Sequence, residues 1–225
     1  MSICVIPARG GSKRIPRKNI RDFHGRPMIG WSIAAARECG LFDRIVVSTD
    51  DDGIAAIARA QGAEVPFLRP ADLSNDHAAT VPVIAHAVDA LGVADDAPVC
   101  CLYATAPFVQ AADLAEGLRL LHAGASYAMA VTEFAYPIQR ALRRGADGAV
   151  SMMDAAQMQV RSQDLEPAWH DAGQFYWAKA ATWGAGVPVF GAGARGVALP
   201  TSRVVDIDTP DDWIRAEALF QVLQK

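Results

Sequence analysis

The residue types with the clearest chemical potential form a basic loop near the start of the chain. Between positions 9 and 26, seven basic residues accompany a single acid, Asp22, directly after an apolar, strand-like run at 3–7. The backbone at Gly10, Gly11 and Ser12 carries no bulky side chain. Several N–H groups can therefore approach an oxyanion while cationic side chains neutralise it. The basic residues are Arg9, Lys13, Arg14, Arg17, Lys18, Arg21 and Arg26. We therefore expect the loop to bind phosphate.

A solvated basic surface loop is the alternative interpretation, and position along the chain decides against it. In open parallel sheets, ligands bind beyond the carboxyl ends of the strands, and the first strand-to-helix connection commonly holds phosphates. The loop lacks the Gly-Lys-Ser or Gly-Lys-Thr ending of a Walker A motif and the Gly-x-Gly-x-x-Gly fingerprint. The sequence thus favours nucleotide recognition outside the two commonest nucleotide-binding folds and disfavours a dehydrogenase.

Two carboxylates near the end of the chain are the second chemical signal. Asp206 and Asp208 stand at i and i+2 of an apolar run, which places them on one face if that run is a strand. Such close like charges are costly unless a cation neutralises them, and hard oxygen ligands suit Mg²⁺. Capping of the helix that begins at Pro210 is the alternative, and it explains Thr209 but not Asp206. We expect Asp206 and Asp208 to bind magnesium.

Composition limits the class of protein. The chain has 225 residues, 52% of them hydrophobic, and a net charge of −4. This length suffices for one substantial core, so we expect a single domain over 1–225. The acidic balance argues against a nucleic-acid binder, and no apolar run approaches the ~20 residues of a membrane span. Without a recognisable signal peptide, the expected location is the cytoplasm. The four cysteines show neither zinc nor disulfide spacing and are interpreted as packing residues.

Predicted strands and helices alternate along the first half of the chain, which is the rhythm of a parallel sheet covered by helices on both faces. The apolar, β-branched runs predict strands at 3–7, 44–48, 65–68, 98–103, 126–131, 173–178 and 204–207. Helical patterns predict helices at 28–39, 52–61, 80–91, 111–122 and 210–224. The predicted fold class is α/β, with a Rossmann-like, mostly parallel sheet.

The rhythm lapses between positions 133 and 172, where the segment becomes polar and irregular. Pro137 and several arginines and glutamines interrupt any period. A long excursion inside a compact domain usually has a function or docks against a partner, although a mobile surface loop is the alternative. We interpret 133–172 as an inserted arm.

Several motifs together make the chain resemble the acylneuraminate cytidylyltransferase family. Positions 6–19 read IPARGGSKRIPRKN, 42–50 read FDRIVVSTD, 68–73 read LRPADL and 206–209 read DIDT. The resemblance covers essentially the whole chain. It implies a fold of the nucleotide-diphospho-sugar transferase type and a reaction in which CTP and a nine-carbon keto sugar acid give a CMP-sugar and pyrophosphate, with Mg²⁺ required.

The resemblance also implies roles for particular residues. Arg9, Lys13 and Lys18 would face the triphosphate, with Ala8 and Gly10 beside them in the nucleotide site. Asn19, Arg69 and Thr80 would lie around the cytidine. Asp206 and Asp208 would hold magnesium, and Arg9, Lys18 and Asp208 would be catalytic as the anomeric hydroxyl attacks the α-phosphorus. The arm at 133–172 would exchange with a second subunit, which gives a homodimer with composite sites.

Departures from the sialic acid synthetases bear on the sugar. Positions 102–108 read LYATAPF, 136–142 read YPIQRAL and 170–177 read HDAGQFYW. This combination looks like the pseudaminic acid branch of the family, whose products feed glycosylation of flagellin and surface polysaccharide. Candidate sugar-binding residues are Tyr103, Arg161, His170 and Gln174. Sialic, legionaminic and keto-deoxy-octulosonic acids remain alternatives, and so does a nucleotide-binding regulator without chemistry.

Overall fold

A computed structural model describes residues 1–223 and contains ten strands and six α-helices within them. The strands are β1 (Ile3–Pro7), β2 (Asp22–Phe23), β3 (Arg26–Pro27), β4 (Arg44–Ser48), β5 (Pro98–Leu102), β6 (Tyr127–Glu133), β7 (Leu142–Arg144), β8 (Val150–Met152), β9 (Trp169–Lys179) and β10 (Ala194–Ala198). The helices are α1 (Met28–Glu38), α2 (Asp52–Ala60), α3 (Thr80–Ala90), α4 (Ala111–His122), α5 (Ala180–Gly184) and α6 (Pro210–Leu223). Of these helices, none is both long and apolar enough to span a bilayer. The last residue of the predicted terminal helix, 224, lies outside the described part of the chain.

Six strands form one sheet in the order β10-β6-β9-β5-β1-β4. Strand β1 is parallel to β4 and β5, and β10 is parallel to β6. Strand β9 runs antiparallel to both of its neighbours, β5 and β6. The predicted α/β class with a mostly parallel sheet is therefore confirmed, with one antiparallel strand inside it.

Helices cover both faces of this sheet. Cys4 and Ile6 of β1 point into a core that includes residues of α1, α2 and α4, whereas Ile3 and Val5 point into a second core with α3 and α5. Because both faces are buried, the strand is apolar throughout instead of alternating with polar residues. This explains why the run at 3–7 was recognisable from sequence.

A third apolar cluster lies outside the sheet and joins the basic loop to the end of the chain. Ile15 of the loop packs with Val205 and Ile207, and with Trp213 and Phe220 of α6. Burial of these side chains removes apolar surface from water and so fixes the loop against the segment that carries the acidic pair. The cluster brings together two sequence motifs that are almost 200 positions apart.

Two of the predicted strands are wrong. One strand of the six-stranded sheet was missed, as were the four short strands of the two two-stranded sheets. Within 65–68, Leu68 alone forms an isolated bridge, to Thr49, since Pro66 has no N–H to donate to a ladder. Residues 204–207 pair with no strand of the described sheet and link a 3₁₀ turn to α6. The strand missed from the six-stranded sheet is β10, at the edge beside β6. Its alanines, arginine and glycine give it little β-propensity. Gly196 lets β10 approach β6, because a Cβ there would lie 2.6 Å from Val131 Cγ2.

The segment 133–172 carries a small β7–β8 hairpin, three short 3₁₀ turns and the start of β9. The prediction of a polar arm is incomplete, because many of its large apolar side chains face solvent in the single chain. Tyr136 is 84% exposed and Val150 is 64% exposed. The others are Phe134, Ile138, Leu142, Met153, Met158 and Trp169. Such a concentration of exposed apolar surface is typical of an interaction site.

Candidate functional site

A cavity of about 520 Å³ opens beyond the carboxyl ends of β1 and β5. Pro7, the last residue of β1, and Tyr103, which directly follows β5, both line it. This is where open α/β sheets bind ligands. Eight residues predicted to act in the site also line this cavity: Arg9, Lys13, Lys18, Asn19, Arg69, Thr80, Tyr103 and Asp208.

One side of the cavity is an ion-pair cluster around Asp76. Arg9 Nη1 lies 2.5 Å from Asp76 Oδ1, and Lys13 Nζ pairs with Asp76 Oδ2. Hydrogen bonds from Lys13 and Arg9 lower the pKa of Asp76 to about 2. A carboxylate thus pairs with two of the three cations that were predicted to face a triphosphate.

The other side of the cavity gathers charge around Asp208. Lys18 Nζ lies 3.0 Å from Asp208 Oδ1 and donates to the carbonyl of Ile207 at 2.6 Å, and Arg14 Nη2 lies 2.6 Å from Asp208 Oδ2. Desolvation by burial opposes the ionisation of Asp208, but hydrogen bonds and charge from Lys18 and Arg14 lower its pKa nonetheless. The basic loop and the acidic segment therefore form one electrostatic unit.

Asp206 lies close enough to Asp208 to be affected by its charge. Desolvation by surrounding protein and the neighbouring Asp208 carboxylate raise the pKa of Asp206, although its side chain still reaches solvent. Asp206 does not line the cavity itself. Because 204–207 is not a strand, the expected alternation does not explain this proximity, yet the two carboxylates repel each other as a cation-binding pair does.

Gly10 of the basic loop allows a close approach to the β4–α2 connection. The Gly10 N–H donates to Asp50 Oδ1 at 3.0 Å, and a Cβ on Gly10 would lie 2.8 Å from Asp51 Oδ2. The Ala8 N–H donates to the carbonyl of Ser48 at 2.9 Å. Ala8 and Gly10, which were predicted to bind the nucleotide, are therefore held by β4 and the loop after it, and their N–H groups have protein partners.

Arg69 presents an unused donor at the cavity wall. Its side chain is only 4% exposed, its Nε donates to Ser74 Oγ at 3.2 Å, and its Nη2 lies 3.8 Å from Asp50 Oδ1. Within the described chain, the buried Nη2 has no hydrogen-bond partner. Desolvation lowers the pKa of Arg69, with Asp50 opposing the shift. A buried donor without a partner is costly, so this nitrogen suits an acceptor on a bound ligand.

The cavity lining also includes Asn19, Thr80 and Tyr103. Asn19 Nδ2 donates to the carbonyl of Arg9 at 3.0 Å, which ties the first turn after the loop to the loop itself. Thr80 Oγ1 and the Tyr103 hydroxyl are 2.8 Å apart. Burial raises the pKa of Tyr103 to about 12, so its phenol stays protonated near neutral pH.

Three predicted sugar-binding residues lie away from the cavity of the single chain. Arg161 is exposed on the arm and pairs with Asp164 at 2.8 Å. His170 is exposed on β9 and packs against Phe134, with ring centroids 4.7 Å apart. Gln174 is buried, and its Nε2 donates to the carbonyl of Arg203 at 2.8 Å. The fold places Gln174 next to Tyr103, whose backbone N–H donates to the Gln174 carbonyl at 2.8 Å, although Gln174 does not line the cavity. It brings neither Arg161 nor His170 to the cavity within one chain.

Two charged cavity residues, Arg14 and Asp76, were not among the predicted site residues. Arg14 belongs to the basic loop, and only its contact with Asp208 distinguishes it from its neighbours. Asp76 lies in a polar stretch that reads as a turn, and nothing in its local pattern indicates two cationic partners more than 60 positions away. Both contacts depend on tertiary structure, which a local pattern does not contain.

Comparison with known proteins gives likeness over nearly the whole chain. Residues 3–178 match the family model described as cytidylyltransferase. The chain is 42% identical to the pseudaminic acid cytidylyltransferase of Campylobacter jejuni, over 98% of this chain and 97% of that protein. It is 31% identical to the CMP-N,N'-diacetyllegionaminic acid synthase of Legionella pneumophila, over 99% and 97%. A CMP:2-keto-3-deoxy-manno-octonic acid synthetase solved in complex with CTP has a similar fold, with a TM-score of 0.72 at 18% identity and 99% of each chain covered.

Proposed function

Because the chain belongs to the cytidylyltransferase family, we propose that it joins CTP and pseudaminic acid to give CMP-pseudaminic acid and pyrophosphate. The family resemblance predicted from the sequence motifs is confirmed. The observation that carries the choice of sugar is the 42% identity to the Campylobacter jejuni protein over almost the full length of both chains. The cavity supports it with cationic side chains for phosphates and a partly buried wall of Asn19, Arg69, Thr80 and Tyr103 for the nucleoside and sugar.

In the proposed reaction, the anomeric hydroxyl oxygen of the sugar acid forms a bond to the α-phosphorus of CTP. The bond from the α-phosphorus to the bridging oxygen breaks, pyrophosphate leaves, and the hydroxyl proton passes to solvent. Such transfer depends mainly on positioning and on neutralising charge. Arg9 and Lys13 would exchange their ion pairs with Asp76 for the outgoing phosphates. Lys18, beside Asp208, would offset negative charge near the α-phosphate.

The nucleoside would lie against the wall formed by Asn19, Arg69 and Thr80. The free Nη2 donor of Arg69 suits an acceptor such as a pyrimidine carbonyl or a ribose oxygen. Ala8 and Gly10 would shape the loop beneath the phosphates through their bonds to Ser48 and Asp50. Tyr103 would face the sugar.

Magnesium would be held by Asp206 and Asp208. The donor set fits, because desolvation and repulsion from the Asp208 carboxylate raise the pKa of Asp206, and Lys18 opposes this shift only in part. The described residues 1–223 contain no group of three or more side chains arranged to bind a metal. The protein would thus supply two carboxylates and leave the other positions to phosphate oxygens and water, as is common for Mg²⁺. The ion would neutralise negative charge on the reacting phosphates.

The arm supports a homodimer as part of this proposal. Its exposed apolar side chains have no cover within one chain, and burying them against a second copy would remove that surface from water. Arg161 and His170 lie on this arm or at its base, outside the cavity of their own chain. In a dimer they would reach the sugar in the partner's cavity. We place the reaction in the cytoplasm.

Transfer of CMP to another acidic keto sugar is the second candidate, and the likeness to the Legionella pneumophila protein favours it. Both candidates share the chemistry and differ in the sugar. The test is pyrophosphate release by the purified protein with CTP, Mg²⁺ and one acid at a time: pseudaminic, legionaminic, N-acetylneuraminic or keto-deoxy-octulosonic. Release that is fastest with pseudaminic acid supports the proposal. Release with another acid alone would keep the mechanism and replace the sugar, and CTP binding without any release would indicate a regulator.

A further inference from the structure

Strand β9 contains a bulge beside the cavity wall. Along the β6–β9 pairing, Met129 lies opposite Tyr176 and Val131 lies opposite Asp171, with a register shift between the two pairs. Two steps along β6 therefore correspond to five steps along β9. Gly173, inside the bulge, has a φ of +61°, which other residues rarely adopt. Bulges re-aim side chains, and this one turns Asp171 back toward its own strand.

The bulge gives the Asp171 carboxylate two partners from β9. The Gly173 N–H donates to Asp171 Oδ1 at 2.9 Å, and the Tyr176 hydroxyl donates to Asp171 Oδ2. Because a carboxylate only accepts hydrogen bonds, the direction of the second bond is fixed and the Tyr176 hydrogen points at Asp171. The Tyr176 oxygen is left as an acceptor.

Tyr176 connects this bulge to the cavity. It is 4% exposed and does not line the cavity, but its ring lies 5.4 Å from the ring of Tyr103, centroid to centroid. The Tyr103 hydroxyl itself lies 2.8 Å from Thr80 Oγ1, and both of these residues line the cavity. The Tyr103 backbone N–H is anchored to the carbonyl of Gln174 at 2.8 Å. Asp171, Tyr176 and Tyr103 thus form a continuous row from the bulge to the cavity wall.

We propose that Asp171 and Tyr176 are positioning residues that fix the Tyr103 ring at the cavity wall, so that the Tyr103 hydroxyl meets a polar group of the sugar substrate. The Asp171 carboxylate holds the Tyr176 hydroxyl, and the Tyr176 ring packs against the Tyr103 ring. The Tyr103 hydroxyl shares a hydrogen bond with Thr80 and keeps further bonding capacity for the ligand. The matching group on the ligand is an acylamino group or a hydroxyl of the sugar. This inference rests on the proposed function and extends it to residues outside the cavity.

The experiment compares steady-state constants of Tyr176→Phe and Asp171→Asn with those of the wild type. Each substitution removes or reverses one hydrogen bond with little change of shape. We expect each variant to raise the KM for the sugar about tenfold, the size expected for one hydrogen bond, and to leave the KM for CTP unchanged. The double variant should be no worse than the poorer single variant, because both residues act through Tyr103.

Tyr127→Phe is the matched control. Tyr127 is a buried tyrosine of β6 whose hydroxyl donates to the carbonyl of Val187 at 3.0 Å, away from the cavity. Its loss should cost stability as Tyr176→Phe does, while the KM for the sugar stays at the wild-type value. Thermal melting of all variants separates folding from binding.

Unchanged sugar KM in both single variants would overturn the inference, and so would an effect confined to CTP or shared equally by Tyr127→Phe. If the wild type prefers another acid, the same comparison is made with that acid. If the wild type releases pyrophosphate with none of the four acids, the proposed function itself is overturned. The two failures are therefore distinguishable.

Discussion

Asp208 is the residue at which the basic loop and the acidic segment meet. It accepts from Lys18 at 3.0 Å and from Arg14 at 2.6 Å, and its pKa is lowered by these cations despite desolvation. A carboxylate with a lowered pKa stays ionised at neutral pH and can exchange its cationic partners for a metal ion. The proposed chemistry depends on this residue more than on any other single acid.

Substituting Asp208 with alanine should reduce the rate of pyrophosphate release by about 100-fold or more, because a proposed ligand of the Mg²⁺ that neutralises charge on the reacting phosphates is lost. The fold should persist, since the Asp208 side chain is partly exposed and packs in none of the apolar clusters. Turnover and thermal melting measure the two effects. Asp211→Asn, at the exposed start of α6, is the control for removing a nearby charge. Near-normal turnover of Asp208→Ala would contradict the assignment.

Asp76 offers a second prediction, because it competes with the triphosphate for Arg9 and Lys13. Its folded-state pKa of about 2 is below the ordinary value of 3.8, so the pairing is fully present above the ordinary value and is lost only as the pH falls through about 2. At any ordinary assay pH, Asp76→Asn should therefore lower the KM for CTP by a few-fold. Asp72→Asn, an exposed acid in the preceding turn, is the control. An unchanged or higher KM for CTP in Asp76→Asn would contradict competition.

The residue types of the site were predictable from sequence to the extent that they lie in local motifs. The basic loop and the pair Asp206 and Asp208 were recognisable because charge stands out in apolar surroundings. The sequence did not indicate Asp76, because its cationic partners are distant in sequence and only the fold brings them near. It also did not indicate Asp171 and Tyr176, because their contact depends on the bulge in β9. Local pattern indicates which residues carry charge, and tertiary structure decides which charges meet.

At the scale of elements, the connection after β1 depends on the connection after β4. Gly10 lies against Asp51, the residue that caps α2 by accepting from the Ile54 N–H at 2.8 Å. The Gly10 N–H is in turn bound by Asp50. The two loops thus hold each other at the carboxyl edge of the sheet, and the position of Arg9 in the cavity follows from this contact.

Gly10→Ala tests this dependence. The added Cβ would lie 2.8 Å from Asp51 Oδ2 and 2.9 Å from its Cβ, so one loop has to move. We expect a loss of about 1–3 kcal/mol in the free energy of unfolding, as for overpacking elsewhere, together with a raised KM for CTP. Gly11→Ala is the control, because its nearest neighbour would be Arg9 Nη1 at 3.9 Å. Equal effects of the two substitutions on the KM for CTP would contradict the account.

Elements were predictable where local propensity and burial agree. Strands β1 and β4 and helices α2 and α4 begin and end close to the predicted positions, because their apolar residues repeat with the period of the element. The predicted strands at 65–68 and 204–207 failed because apolar residues can be buried without a strand partner, as Val205 and Ile207 are in the third cluster. Strand β10 was missed because pairing with β6, more than its own composition, stabilises it.

At the scale of the whole molecule, the arm is the part that a single chain leaves incomplete. Most of its large apolar side chains are exposed, in contrast to the closely packed sheet from which it extends. An interface between two copies would cover this surface and could bring the arm of one subunit to the cavity of the other. A complete sugar site would then depend on assembly.

We therefore expect the protein to sediment as a dimer at micromolar concentration. Tyr136→Asp combined with Met153→Asp should weaken the dimer and lower turnover together, because a charge is costly in a desolvated interface. Phe190→Asp is the control, since Phe190 is 68% exposed and lies outside the arm. Sedimentation velocity over a range of concentrations measures the effect. A wild type that is monomeric at all concentrations and fully active would contradict the proposal.

The central claim, transfer of CMP to pseudaminic acid, is tested most directly by competition. The wild-type protein is incubated with CTP, Mg²⁺ and equal concentrations of pseudaminic, legionaminic, N-acetylneuraminic and keto-deoxy-octulosonic acids. The products are separated by liquid chromatography against authentic CMP-sugars, and pyrophosphate is counted alongside. We predict that CMP-pseudaminic acid dominates, with one pyrophosphate released for each CMP-sugar formed. Dominance of another CMP-sugar, or release of pyrophosphate without any CMP-sugar, would contradict it.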